Sequence, residues 1–146
     1  MRSSRFVSFL GLLSVCAVAG TASAAAATAS SGTGLGQSWP NVPDVSRNGS
    51  FHAYVFERNG IRFIQINDSN GAVRGAVAYV AGEVLTLPIG LDAGNVVVGE
   101  DGSAPSGGQS VYQDGEVSIN VSGQPNGAMQ LMVEPCNPLV CSVKGQ

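Results

Sequence analysis

The sequence predicts an all-β domain, an antiparallel meander of about six to eight short strands forming a small sandwich or barrel. Three observations carry this expectation. From Ser50 to Val143 no apolar period of the helical kind runs for a useful length. Short runs of Val, Ile, Leu and aromatic residues recur there instead, separated by Gly, Asn, Asp and Pro. Asn59-Gly60 and Asp114-Gly115 are hairpin dipeptides, because a tight type I′ turn needs positive φ at both central residues.

The chain opens on an element outside that domain. Residues 1–24 have the three parts of an export signal peptide, expected to be a helix that is later cleaved. Arg2 and Arg5 give the basic start, Phe6 to Ala19 the apolar run, and Ala22-Ser23-Ala24 the small-residue cleavage triplet. Cleavage there starts the mature chain at Ala25 and makes the protein secreted or periplasmic. Cys16 offers a lesser alternative, a lipid-anchored terminus, but the bulky Val15 stands where such a signal wants a small residue. After cleavage no integral membrane segment is expected, since no later run is long and apolar enough. Residues 25–48 read as a flexible low-complexity spacer, in which Trp39, Pro40 and Pro43 favour an extended path that can lie on the domain. Residues 49–146 form a single β-domain with a C-terminal disulfide loop.

The strands are expected near 51–57, 61–67, 72–81, 84–87, 95–99, 110–113, 116–121 and 128–134. With Asn59-Gly60 as a two-residue turn, Glu57 stands opposite Arg62, Val55 opposite Ile64 and Ala53 opposite Ile66 on one face. The other face carries Phe56 opposite Phe63, Tyr54 opposite Gln65 and His52 opposite Asn67. Both faces are apolar enough to need cover. The core supplies one, and the Trp39 segment, the long Gly-rich loop at 100–109 or a partner supplies the other. Tyr54, Phe56 and Phe63 are therefore candidate binding residues. With Asp114-Gly115 as the second turn, Tyr112 stands opposite Val117 and Ser110 opposite Ile119. That arrangement leaves Gln113, Glu116, Ser118 and Asn120 on a wet face with Val111. Asn70-Gly71 and Asn126-Gly127 close two longer turns.

A shift of 56 residues lays Val55–Val77 over Val111–Val133 without a gap. Asn70-Gly71-Ala72 then falls on Asn126-Gly127-Ala128, and Phe63 on Ile119. The two hairpin dipeptides miss each other by one residue. If the repeat is real, it implies two three-stranded units.

Charge excludes some partners. Removing the signal takes Arg2 and Arg5 from the seven basic residues and leaves five, spread singly, against ten acidic ones. Nucleic acid is not an expected partner, because a binder must displace counterions from phosphates with clustered cations. Cys136 and Cys141 remain after the signal and are expected to pair in an oxidising compartment. The pair would hold Asn137-Pro138-Leu139-Val140 as a rigid loop, so Pro138, Leu139 and Val140 join the candidate binding residues.

Catalytic equipment is sparse. His52 is the one histidine, and a strand-end histidine bonded to Asn67 is the expected reading. No G-x-S-x-G elbow, phosphate loop or dinucleotide fingerprint is present. The acidic residues are scattered and no metal-loop spacing occurs, so neither a metal site nor a cofactor is expected. The expected function is that of an exported domain acting by binding a protein or envelope polymer, as an inhibitor or accessory subunit. The alternatives are a small carboxylate-dependent hydrolase of envelope polymers and a structural subunit of a surface layer or appendage.

Overall fold

The computed structural model of the chain describes residues 34–99 and 108–136. The signal with Cys16, the start of the spacer, most of the 100–109 loop, the 137–140 loop and Cys141 lie outside the described residues.

Asn59 and Gly60 take φ of 54° and 77°, the left-handed turn that asparagine tolerates and that glycine, lacking a Cβ, adopts freely. That turn joins β1 (Phe51–Arg58) to β2 (Ile61–Asp68) in the register the sequence predicts, from His52 opposite Asn67 to Glu57 opposite Arg62. Asn70-Gly71 leads to β3 (Val73–Val80), with a register shift between Ile66 and Asn67. Ala81 and Gly82, at φ of 52° and 89°, then return the chain into β4 (Glu83–Thr86). The first sheet therefore runs β1-β2-β3-β4.

A short 3-10 turn at Ala93–Asn95 delivers the chain to β5 (Val96–Val98), followed by β6 (Gln109–Gln113), β7 (Val117–Gly123) and β8 (Met129–Pro135). The second sheet runs β5-β8-β7-β6. Here the wholly antiparallel meander needs correction, because β5 pairs with β8 in parallel. The chain crosses between sheets after β4 and enters alongside its own last strand. Each sheet thus has four strands, and no helix of the described residues is long and apolar enough to cross a membrane.

The second hairpin also differs from expectation. Tyr112 stands opposite Ile119, not Val117, and Ser110 opposite Asn120, not Ile119. The reason is the Asp114 side chain. Its Oδ1 accepts the N–H groups of Glu116 and Val117, and the Asp114 N–H donates to the Val117 carbonyl, so a wider turn forms. A register shift between Ser110 and Tyr112 then turns Val111 inward. Val111, expected on the wet face, is fully buried in the core.

The inner faces of the two sheets share one core, in a sandwich-like arrangement. Ala53, Ile64, Ile66 and Val77 of the first sheet meet Val111, Val117, Ile119, Val121, Leu131 and Val133 of the second. Gly75 belongs to this packing: a Cβ there would lie 2.8 Å from Leu131 Cδ2, so only glycine lets Leu131 approach the strand so closely. The 56-residue shift lays β1, β2 and β3 over β6, β7 and β8. Facing is not carried over throughout, because outward Phe63 falls on Ile119, which is buried in the core.

Candidate functional site

The register of β1 and β2 places Tyr54, Gln65, His52 and Asn67 together on the outer face of the first sheet. Gln65 and Asn67 are completely buried there. A buried amide without partners costs several kcal/mol at worst, so each of its polar atoms must be satisfied. Residues 34–48 do this. They cross the outer face as a strap whose backbone meets the two amides directly. Gly36 N–H donates to Gln65 Oε1 at 2.6 Å, and Gln65 Nε2 donates to the Gln37 carbonyl at 2.8 Å. Asn67 Nδ2 donates to the Ser38 carbonyl at 2.6 Å, and Asn67 Oδ1 accepts a second bond from Gln65 Nε2. Of the three covers the sequence leaves open, the Trp39 segment is the one seen on this part of the face.

The strap is fixed at two further points. The Trp39 ring stands edge-on to His52, with centroids 5.2 Å apart, and rests on Gly71. His52 in turn stacks on Tyr54. Further along, Asp44 joins strap and sheet. Its Oδ1 accepts the N–H groups of Ser46 and Ala53, and His52 Nδ1 donates to its Oδ2 at 2.7 Å. Partial burial alone would raise the Asp44 carboxyl. The bonds from His52, Ser46 and Ala53 outweigh it and hold the group down at about 2. The Val45 N–H donates to Ala53, and the Arg47 N–H and Asn48 Nδ2 reach the carbonyls of Val111 and Ser110. The strap thereby links β1 of one sheet to β6 of the other.

His52 therefore does not bond Asn67, as its strand position suggests. The amide of Asn67 is committed to the strap and Gln65, and Asp44 takes the histidine. Tyr54 is 4% exposed and lies under this cover, where burial and the nearby Asp44 carboxylate push its phenol up. Phe56 and Phe63 form a cross-strand pair further along the same face, half-buried, in a row that continues through Ala78 to exposed Leu85. Pro138, Leu139 and Val140 lie outside the described residues, as does Cys141; Cys136 follows β8. Asp44 and the strap backbone are the parts of this candidate site that sequence reasoning missed.

A second cluster sits at the rim of the core, where Arg62 bridges the sheets. Its guanidinium contacts Asp114 at 2.8 Å, Glu116 at 2.7 Å and Glu57 at 3.6 Å, and lies over the Tyr79 ring. An open recess of about 220 Å³ borders it, lined by Glu57, Arg62, Tyr79 and Glu116 among others. Three carboxylates thus converge, which the sequence alone does not place. Burial works to raise Asp114, but the Tyr112 hydroxyl, two backbone N–H groups and Arg62 bring it below the usual range. A general acid requires the opposite shift. The arrangement is that of an ion-paired clasp between sheets. A third ionic group, Arg74 with Asp92 at 2.6 Å, joins β3 to the crossover, and Asp92 Oδ1 accepts the Met129 N–H.

Among the described residues no group of three or more His, Cys, Asp or Glu side chains is arranged to hold a metal ion. Comparison with protein-family models, with characterised proteins and with solved structures finds no match to the chain.

Proposed function

We propose that this is an exported domain that acts by binding, and that its ligand is an extended polypeptide backbone gripped on the outer face of the first sheet. The observation that carries the reading is the Gln65–Asn67 amide pair, which bonds the backbone of residues 36–38 and leaves their side chains unread. Backbone bonds supply affinity that tolerates sequence, and the Trp39 platform on Gly71 supplies a preference for one aromatic side chain. The same reading places the domain outside the cytoplasm by its export signal, with Cys136 and Cys141 paired and Leu139 and Val140 as a second apolar contact. Asp114 supports binding over a carboxylate hydrolase, since a carboxyl held below the usual range stays ionised and suits an ion pair.

The test is a titration of the full chain with a labelled peptide of residues 34–44, in the wild type, an Asp44→Asn variant and a variant carrying both Asp44→Asn and Gln65→Ala. The strap competes at an effective concentration of about millimolar, so wild type binds the peptide weakly. Asp44→Asn loosens the competitor and tightens peptide binding several-fold. Gln65→Ala, added to Asp44→Asn so that the loosened strap no longer cancels its effect, weakens it. Affinity that ignores Gln65 would overturn the reading.

A further inference from the structure

We infer that residues 34–48 exchange between copies, so that the strap of one molecule fills the outer-face groove of a second and forms a closed, two-fold dimer. The inference rests on the groove reading above and names its occupant as a second copy of this chain. Four features support it.

The strap is held chiefly by hydrogen bonds, each worth about 0.5–1.5 kcal/mol net, and Trp39 stays 55% exposed even when docked. Lifting the strap uncovers Tyr54 and the two amides but removes no residue from the core between the sheets, so it is a smaller opening than global unfolding. The connection to β1 is suited to act as a hinge. Gly49 and Ser50 are exposed, and a side chain added at Gly49 would touch nothing within 4 Å. Upstream, residues 25–33 are Ala, Ser, Thr and Gly only, with too little apolar content to build a core that would obstruct threading. Finally, the strap complements the groove at three separate points. Its backbone meets the amides of Gln65 and Asn67, its indole meets Gly71, and its Asp44 carboxylate meets His52 and the Ala53 N–H. A second copy offers that same set of contacts in trans, so exchange changes the connectivity and leaves the bonds as they are.

The experiment uses the full mature chain. Size-exclusion chromatography with light scattering follows wild type over a concentration series, beside a variant lacking Gly49 and Ser50. Wild type should shift from monomer toward dimer as concentration approaches about 1 mM, the usual range of such effective concentrations. The shortened hinge cannot fold back, so that variant should be dimeric throughout. A mixed sample of isotope-labelled and unlabelled wild type at the highest concentration then reports whether Trp39 of one molecule contacts Gly71 of another. Intermolecular Trp39–Gly71 contacts support exchange. A wild type that stays monomeric, or a dimer in which those contacts are only intramolecular, overturns it. The peptide titration separates the two ideas: if its dependence on Gln65 holds while no exchanged dimer forms, exchange alone falls.

Discussion

Gly71 lies directly beneath the Trp39 indole, so close that a Cβ on it would sit 2.5 Å from Trp39 Cε2. Gly71 also has φ of 82°, a left-handed conformation that L side chains adopt at a cost. Gly71→Ala should therefore displace the indole and destabilise the fold by about 2 kcal/mol or more. Trp39 is the one tryptophan, so its emission reports the strap without interference. A urea melt and an emission maximum both unchanged by Gly71→Ala would contradict this placement.

The two buried amides share a hydrogen bond and the same strap. Gln65→Ala or Asn67→Ala should each cost about 1–3 kcal/mol, because strap backbone groups lose their partners. The double variant should cost less than the sum of the two, since each single change already breaks the shared contacts. Strict additivity in a double-mutant cycle would show that the amides do not act as a unit.

Acid should release the strap. The Asp44 carboxyl is held at about 2, below its ordinary 3.8. A depressed carboxyl contributes stability that is fully present above the ordinary value and is lost as pH falls through the folded one. The change in Trp39 emission should thus fall between about pH 4 and pH 2, with a size of ~1 kcal/mol because Asp44 is partly exposed and screened. Asp44→Asn should remove most of that pH dependence. A strap signal that titrates identically in the variant would assign the effect elsewhere.

Ala81 is one of two non-glycine residues with positive φ among the described residues, at 52° in the turn between β3 and β4. Alanine tolerates this conformation poorly, whereas asparagine adopts it more readily. Ala81→Asn should raise stability by ~0.5 kcal/mol, measured as a shift in urea midpoint at constant slope. A loss of stability would mean that the turn conformation is different.

How much was legible in the sequence depended on how local its cause was. The β1–β2 register followed from Asn59-Gly60, because a two-residue turn fixes every pair behind it. Asp114-Gly115 looked equivalent, yet the Asp114 carboxylate captured two backbone N–H groups and widened the turn. Val111 moved inward through a register shift that no dipeptide announces. The parallel pairing of β5 with β8 joins residues 35 apart, as in Val96 with Leu131, and carries no local signature. In the candidate site, the outer-face partners Tyr54, Gln65, His52 and Asn67 were readable as a set. What bonds them was not, because Asp44 and the carbonyls of Gln37 and Ser38 lie in a segment whose composition suggests only a spacer.

The parallel pair has a consequence for the order of folding. A chain that emerges from its N-terminus, from a ribosome or through a membrane pore, completes the β1–β4 sheet early, since its neighbours are sequential. The other sheet must wait. Its β5 finds its partner only when β8, ending at Pro135, has emerged and slotted between β5 and β7. Until then the apolar inner face around Ile64 and Ile66 lacks Leu131 and Val133 and has only an incomplete lid, and the half-made molecule is at its most aggregation-prone. A pause late in synthesis or export would therefore be more hazardous than one early, and truncation just before β8 should yield a chain that captures chaperones while one truncated after it does not.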